Sequence, residues 1–234
     1  MERDGIKSEF VELEGYTRIN VKVNGNDKET EITGVSPEIS EKKLKELTEK
    51  ISCLKEGDIL VLSGSIPATL SSKIYKELSE NIKKNVKIVL DTRGNLLQDN
   101  IHNNFFIKPN IHELRDMFNE KLETKEEIVK KCSFFLERGV KNIIISRGGD
   151  GALLVNKDFV LEASVPEGEL INSIGAGDSM VAGFIAGHVK GYSVEDSFRL
   201  AVASGSATAY SYGLAEKELV EKLYKEIKII KEGV

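Results

Sequence analysis

Ile171-Asn172-Ser173-Ile174-Gly175-Ala176-Gly177-Asp178-Ser179-Met180 places a glycine-rich turn and a carboxylate at the mouth of a helix made of small residues. Two glycines flanking an alanine let the backbone approach an anion closely. The first-turn amides are donors without helical partners at the positive end of the helix dipole. Gly175, Ala176 and Gly177 therefore read as a phosphate cradle. Asp178 is out of place beside it, because a carboxylate repels an anion. Two readings account for it: Asp178 takes a proton from a hydroxyl that attacks phosphorus, or it simply complements the helix N-terminus.

Working outward, the pattern alternates between strand and helix. Residues 16–23 alternate in the strand manner, Asn24-Gly25-Asn26-Asp27 supplies turn chemistry, and Thr30-Glu31-Ile32 returns, which predicts a β-hairpin. Helical patterns cover 40–54, 71–84, 110–118 and 124–138, interleaved with apolar strands at 58–62, 86–90, 105–108 and 142–146. Short strands at 151–155 and 158–163 follow, and then helices at 176–190, 193–211 and 215–230. Such alternation predicts a mostly parallel sheet between two layers of helices.

Ligands of an open α/β sheet bind beyond the carboxyl ends of its strands. The predicted strands end in Ser63-Gly64-Ser65-Ile66-Pro67, Asp91-Thr92-Arg93-Gly94, Lys108-Pro109-Asn110 and Ser146-Arg147-Gly148-Gly149-Asp150-Gly151. Each alone reads as an ordinary turn. Four on one sheet edge, together with Gly175 to Asp178, read as a site.

Composition bounds the alternatives. The 234 residues are 40% hydrophobic and 30% charged, enough for one large domain with a core. A formal net charge of −5 argues against a general nucleic-acid or membrane-surface role. Cys53 and Cys132 lack metal-like spacing and read as reduced thiols; with no apolar signal core at the N-terminus, the expected setting is cytoplasmic. His102, His112 and His188 share no metal spacing, and lysines near 41–50 and 217–231 read as solvated helix faces.

These blocks resemble, in order, those of the PfkB sugar kinases of the ribokinase-like fold, and within that family the branch that phosphorylates fructose 1-phosphate. The carrying stretches are Thr17-Arg18-Ile19-Asn20-Val21-Lys22, Leu62 to Pro67, Ile107-Lys108-Pro109-Asn110-Ile111-His112-Glu113-Leu114, Gly148-Gly149-Asp150-Gly151-Ala152 and Asn172 to Phe184. The resemblance implies a three-layer αβα sandwich in a single kinase domain over 1–234, with residues 10–34 forming a small β lid and 35–234 the α/β core. It implies ATP-dependent transfer of a phosphoryl group to fructose 1-phosphate, giving fructose 1,6-bisphosphate. Tagatose-6-phosphate kinase is the near alternative, and a non-catalytic nucleotide-binding or assembly fragment is the alternative of another class.

Carried over residue by residue, Asp178 matches the catalytic base, and Gly175, Ala176 and Gly177 match the anion hole. Arg18 matches the residue that binds the phosphate already on the sugar, with Ser63, Gly64 and Ser65 near it. Asn110 and Glu113 match an N-x-x-E element that helps hold Mg2+ through water, although the same pair also reads as a helix capping box. Lys108 adjoins this element and is placed to contact phosphates. Ser146, Gly148, Gly149 and Gly151 resemble the nucleotide loop, while Ser204, Ser206 and Gly213 match positions towards the adenine and read equally as packing residues. The family pairs into dimers through the lid strands, so a homodimer is implied.

The sequence also departs from the family pattern. An N-terminal strand carrying a sugar-binding aspartate, and a following G-G-K-G-x-N segment, have no counterpart upstream of Arg18. Residues 1–15 instead resemble mid-domain sequence, leading through Gly5-Ile6-Lys7 into a lid strand at Phe10-Val11. The expectation is a domain lacking part of its sheet and sugar site, with ATP binding retained, sugar phosphorylation weakened, and exposed edges that invite another chain.

Overall fold

The computed structural model describes residues 5–24, 29–82 and 85–233. They divide into two compact units, Met1–Asp58 with Ser65–Val86, and Ile59–Gly64 with Lys87–Val234.

In the first unit, β1 (Asn20–Asn24) and β2 (Glu29–Thr33) form a two-stranded antiparallel ribbon that pairs Val21 with Ile32. The strand predicted at 16–23 begins only at Asn20, and the predicted turn residues Gly25 to Asp27 lie outside the described residues. The helix α1 (Glu41–Ser52) starts where the Ser40 hydroxyl accepts from the Lys43 N–H. Of the helix predicted over 71–84, α2 (Ile74–Glu80) forms; residues 83–84 lie outside the described residues. Ile74 and Leu78 of α2, with Leu44 and Leu47 of α1, line an apolar cavity of about 260 Å³.

The second unit is built on a seven-stranded sheet. Its order is β3 (Ile59–Ser63), β4 (Lys87–Asp91), β5 (Phe106–Ile107), β6 (Asn142–Ser146), β7 (Ala152–Val155), β8 (Phe159–Ala163) and β9 (Ile229–Gly233). The first four strands pair in parallel and the last four antiparallel, so β6 belongs to both halves. That position explains its Ile143-Ile144-Ile145 run: a strand with neighbours on both sides and helices on both faces has no polar face.

Six helices flank this sheet: α3 (Asn95–Asn100), α4 (Ile111–Phe118), α5 (Lys125–Leu136), α6 (Ala176–Val189), α7 (Val194–Ala209) and α8 (Lys217–Glu226). Val89, Phe106, Ile144, Leu154 and Leu161 form one core with Met180 and Phe184 of α6, Phe198 and Val202 of α7 and Leu223 of α8. Residues of opposite parity, among them Leu90, Ile107, Ile143, Ile145 and Leu153, are equally buried, as are Leu97, Leu114, Ile128 and Phe135 of α3 to α5. The result is the α/β sandwich implied by the alternation.

Local signals explain the helix ends. Asn110 with Glu113, and Thr124 with Glu127, each form a reciprocal capping box at the starts of α4 and α5. The helices α6 and α7 meet through residues without side chains: a Cβ on Gly187 would stand 2.7 Å from the Ser197 Cα, and one on Gly183 2.8 Å from the Leu200 carbonyl oxygen. Two helices can only approach this closely where such atoms are missing.

Two departures from the sequence reading have physical causes. The helix predicted at 215–230 ends at Glu226, and Ile229–Gly233 joins the sheet beside β8. The β-branched Ile227, Ile229 and Ile230 suit an extended strand, and β8 offers an unpaired edge to receive it. A short helix at Asn95–Asn100, without an apolar period long enough to detect, was not predicted. Among the described residues no helix is long and apolar enough to cross a membrane. Cys53 is exposed in the first unit, and Cys132 is buried on α5 with its thiol pushed up to about 12 by desolvation.

Candidate active site

Gly175 is the N-cap of α6 and has φ +79°, a left-handed conformation that glycine adopts without strain. Ala176 and Gly177 are the first helical residues, and Asp178 lies exposed in the same turn. The approach to the helix is fixed by backbone bonds: the Ile171 and Asn172 N–H groups both donate to the Ala209 carbonyl, at 2.9 and 3.1 Å. The Asn172 side chain then accepts from the Ile174 N–H at 3.0 Å. Inside the turn, the Ser179 hydroxyl lies 2.7 Å from that of Thr208, a fully buried residue of α7 whose oxygen also accepts from the Ala215 N–H. Thr208 thus ties the first turn of α6 to the end of α7. The sequence carries no local mark of this contact, which exists only once the helices pack.

Lys108 enters beneath this turn from the end of β5. It is 8% exposed, and its ammonium would stand 3.0 Å from a Cβ on Gly177, so the missing side chain is what leaves the cation room. The Lys108 Nζ also lies 3.7 Å from the Asp91 Oδ1 at the end of β4. Burial pushes the Asp91 carboxyl above the ordinary carboxylate range; Lys108 opposes that shift and the charge of Asp178 adds to it. A cation and two carboxylates therefore share the edge where the first turn of α6 stands. Asp91 was visible in the sequence as a polar strand end, but nothing local assigned it a partner.

A cavity of about 550 Å³ opens at this edge, lined by Ser63, Asp91 and Asp178 and floored by Val61, Val181 and Ile185. Ser63 is the last residue of β3, and the neighbouring Gly64 is held by the Asp91 carbonyl, 3.0 Å from its N–H, and by the Thr92 hydroxyl on its own carbonyl.

Asn110 and Glu113 form the capping box of α4: the Asn110 Oδ1 accepts from the Glu113 N–H at 2.8 Å, and the Glu113 Oε2 accepts from the Asn110 N–H at 2.9 Å. This use leaves the Asn110 amide nitrogen and the Glu113 Oε1 outside the cap. Asn110 is also bridged in parallel to Ser146, which brings the two strand ends side by side. Among the described residues no group of three or more His, Cys, Asp or Glu side chains could hold a metal alone. An oxygen-rich edge of this kind fits a hard cation that keeps waters and takes its other ligands from phosphates.

Gly148 and Gly149 lie exposed in a 3-10 turn, Gly148–Asp150, and Gly151 follows with φ +82°; a Cβ there would overlap the Ala163 carbonyl oxygen. Ser204 lies against Gly183 of α6, and its hydroxyl donates to the Leu200 carbonyl one turn earlier in α7 itself. Ser206 is half-buried on α7, and Gly213 lies in the bend after it.

Two predicted residues belong to the first unit. Arg18 is half-buried just before β1, its Cγ 3.4 Å from where a Cβ on Gly34 would stand. Ser65 borders the apolar cavity of that unit beside Ile66 and Pro67.

The Asp91–Lys108 pair gives a pH-dependent expectation. A carboxyl whose folded pKa is raised loses stability as pH rises from its unfolded value through the folded one. Replacing Lys108 by Met removes the opposing cation and extends that window upward. The expected result in urea unfolding is a loss about 1–3 kcal/mol larger at pH 8 than at pH 5. Equal losses at the two pH values would show that the pair is not electrostatically coupled.

Residues 1–220 match the model of the pfkB family carbohydrate kinases. A 1-phosphofructokinase of Bacillus subtilis is 44% identical over 231 residues, covering 98% of this chain and 76% of the relative. A D-tagatose-1-phosphate kinase of Bacillus licheniformis is 37% identical over 227 residues, covering 96% and 74%. Among solved structures, a candidate phosphofructokinase from Staphylococcus aureus superposes with a TM-score of 0.87 at 34% identity, over 99% of this chain and 76% of that one. Gly175 to Asp178, Lys108 and the glycine-rich turn Gly148 to Gly151 all lie within the matched residues, and the chain belongs to the pfkB family of carbohydrate kinases.

Proposed function

We propose that this chain is a 1-phosphofructokinase, transferring the γ-phosphoryl group of ATP to fructose 1-phosphate. The observation that carries the reading is the first turn of α6, where Asp178 stands beside amides and a lysine suited to phosphate. In this reading Asp178 accepts the proton of the attacking hydroxyl as the new P–O bond forms and the bond to ADP breaks. The amides of Gly175, Ala176 and Gly177, with Lys108, stabilise charge on the transferring group; such preorganised donors carry most of the work in phosphoryl transfer. Mg2+, when bound, would neutralise the nucleotide phosphates, and Asn110 and Glu113 would hold it through its waters. Ser146, Gly148, Gly149 and Gly151 take the nucleotide against the backbone, with Ser206 and Gly213 on the adenine side. The cellular setting that suits two unpaired cysteines is the cytoplasm.

Turnover with fructose 1-phosphate, fructose 6-phosphate, tagatose 1-phosphate and tagatose 6-phosphate tests the substrate. The first is expected to show the highest kcat/KM; preference for a tagatose phosphate would move the assignment to the tagatose kinases. ATP binding without turnover of any sugar would leave the non-catalytic reading. Asp178→Asn is expected to lower kcat by about three orders of magnitude or more while ATP affinity stays within about threefold. Retained turnover would remove Asp178 from the role of base.

Arg18 is assigned to the phosphate already on the sugar, for which its planar fork is suited. Arg18→Met is expected to raise the KM for fructose 1-phosphate about tenfold or more without changing the KM for ATP. Equal effects on both substrates would contradict that assignment.

The β1–β2 ribbon carries Ile19, Val21, Val23 and Ile32 largely exposed on one face. We infer that two copies of the chain pair through it, since such an apolar stripe is a ready interface. Sedimentation is expected to show a dimer for the wild type and a monomer for Val21→Glu; a dimer in both would place the interface elsewhere.

A further inference from the structure

The glycine-rich turn after β6 has an anchor that phosphate chemistry does not require. Three of the four residues Gly148 to Gly151 are glycine, so the backbone by itself has wide conformational freedom. It is nevertheless closed on both sides: the Arg147 N–H donates to the Gly151 carbonyl at 2.8 Å, and the Asp150 N–H to the Arg147 carbonyl at 3.2 Å. Arg147 is thus the hinge post of the turn, and its side chain is tied down. The Nη2 lies 2.7 Å from the Glu162 Oε1 on β8, with Arg147 14% and Glu162 30% exposed. The other Glu162 oxygen receives the Lys125 ammonium from the first residue of α5 at 3.0 Å, and Lys125 also reaches Glu232 on β9 at 2.7 Å. Glu162 is held below the ordinary carboxylate range, first by its bond to Arg147. A carboxylate gripped by two cations from different elements is a better fixed partner than an isolated surface ion pair.

The pairing of the strands on either side of the turn does not depend on the Arg147–Glu162 ion pair. The β6–β7 pairing is completed by four residue pairs from Ile143–Val155 to Ser146–Ala152, and its apolar residues are buried throughout. What the ion pair holds is the exposed turn that projects beyond them. We propose that Arg147 and Glu162 are positioning residues for the nucleotide, the ion pair between them pinning the glycine-rich turn in the conformation that receives ATP. This rests on reading Gly148 to Gly151 as the nucleotide loop. The pin acts by preorganisation: a turn already held in its binding shape loses less freedom when the ligand arrives.

The test is calorimetric titration of MgATP, and separately of fructose 1-phosphate, into the full chain and its variants. Arg147→Met and the nearly isosteric Glu162→Gln are each expected to weaken ATP binding about tenfold. The double variant should be no weaker than the worse single one, because both remove the same contact. Arg147→Lys should recover part of the loss, and sugar-phosphate affinity should stay within about twofold. Gly149→Trp serves as the control for the loop itself, since Gly149 faces open space and the new ring would obstruct a ligand there. If Gly149→Trp abolishes ATP binding while Arg147→Met and Glu162→Gln bind as the wild type, the pin is wrong and the nucleotide loop survives. If Gly149→Trp binds ATP normally, the loop reading fails and the pin falls with it. Additive losses in the double variant would also overturn the proposal.

Discussion

A buried ammonium group needs company, and where Lys108 finds it organises the strand-end edge at which the first turn of α6 stands. With 8% of its surface exposed, it has Asp91 on one side and the open first turn of α6 on the other. A cation in that position is stable only if a carboxylate lies near it or an anion visits the turn. Asp91 supplies the first condition from the neighbouring strand, and at a cost, since burial presses its own carboxyl towards the neutral form. Gly177 supplies the space. Parallel strand order brings β4 and β5 side by side, and the packing of α6 on α7 sets the height of the turn above them.

That dependence explains why glycines recur where the helices meet. The face of α6 that carries Gly183 and Gly187 allows α7 to approach within contact of its backbone, and Gly205 on α7 answers with space for Met180. The Thr208–Ser179 bond then fixes the rotation of α6 at the end that matters. A helix held less closely would let the first turn of α6 drift relative to Lys108.

Much of this was legible in the sequence. Alternating strand and helix patterns predict the sandwich that forms, and Gly175 to Asp178 mark the glycine-rich turn that opens α6. The capping box of Asn110 and Glu113 was equally visible, being a local exchange of hydrogen bonds. What escaped were interactions made by packing alone. Thr208 looks like any helix residue until α6 lies against it, and Asp91 reads as a turn former until Lys108 points at it. Arg147 and Glu162 stand fifteen residues apart with nothing in between to announce a pair. The last strand was missed because Ile227 to Ile230 follow a genuine amphipathic helix, and only the free edge of β8 decides that the chain there extends.

The two thiols acquire a use from their placement. Cys53 sits exposed at the end of α1 in the first unit, whereas Cys132 lies on the inner face of α5 in the second, in surroundings that oppose thiolate formation. An alkylating reagent therefore meets the first at the surface of the native protein and reaches the second only when α5 opens. The natural sequence therefore contains a clock in each unit, one reading immediate access and the other the frequency with which the sandwich comes apart.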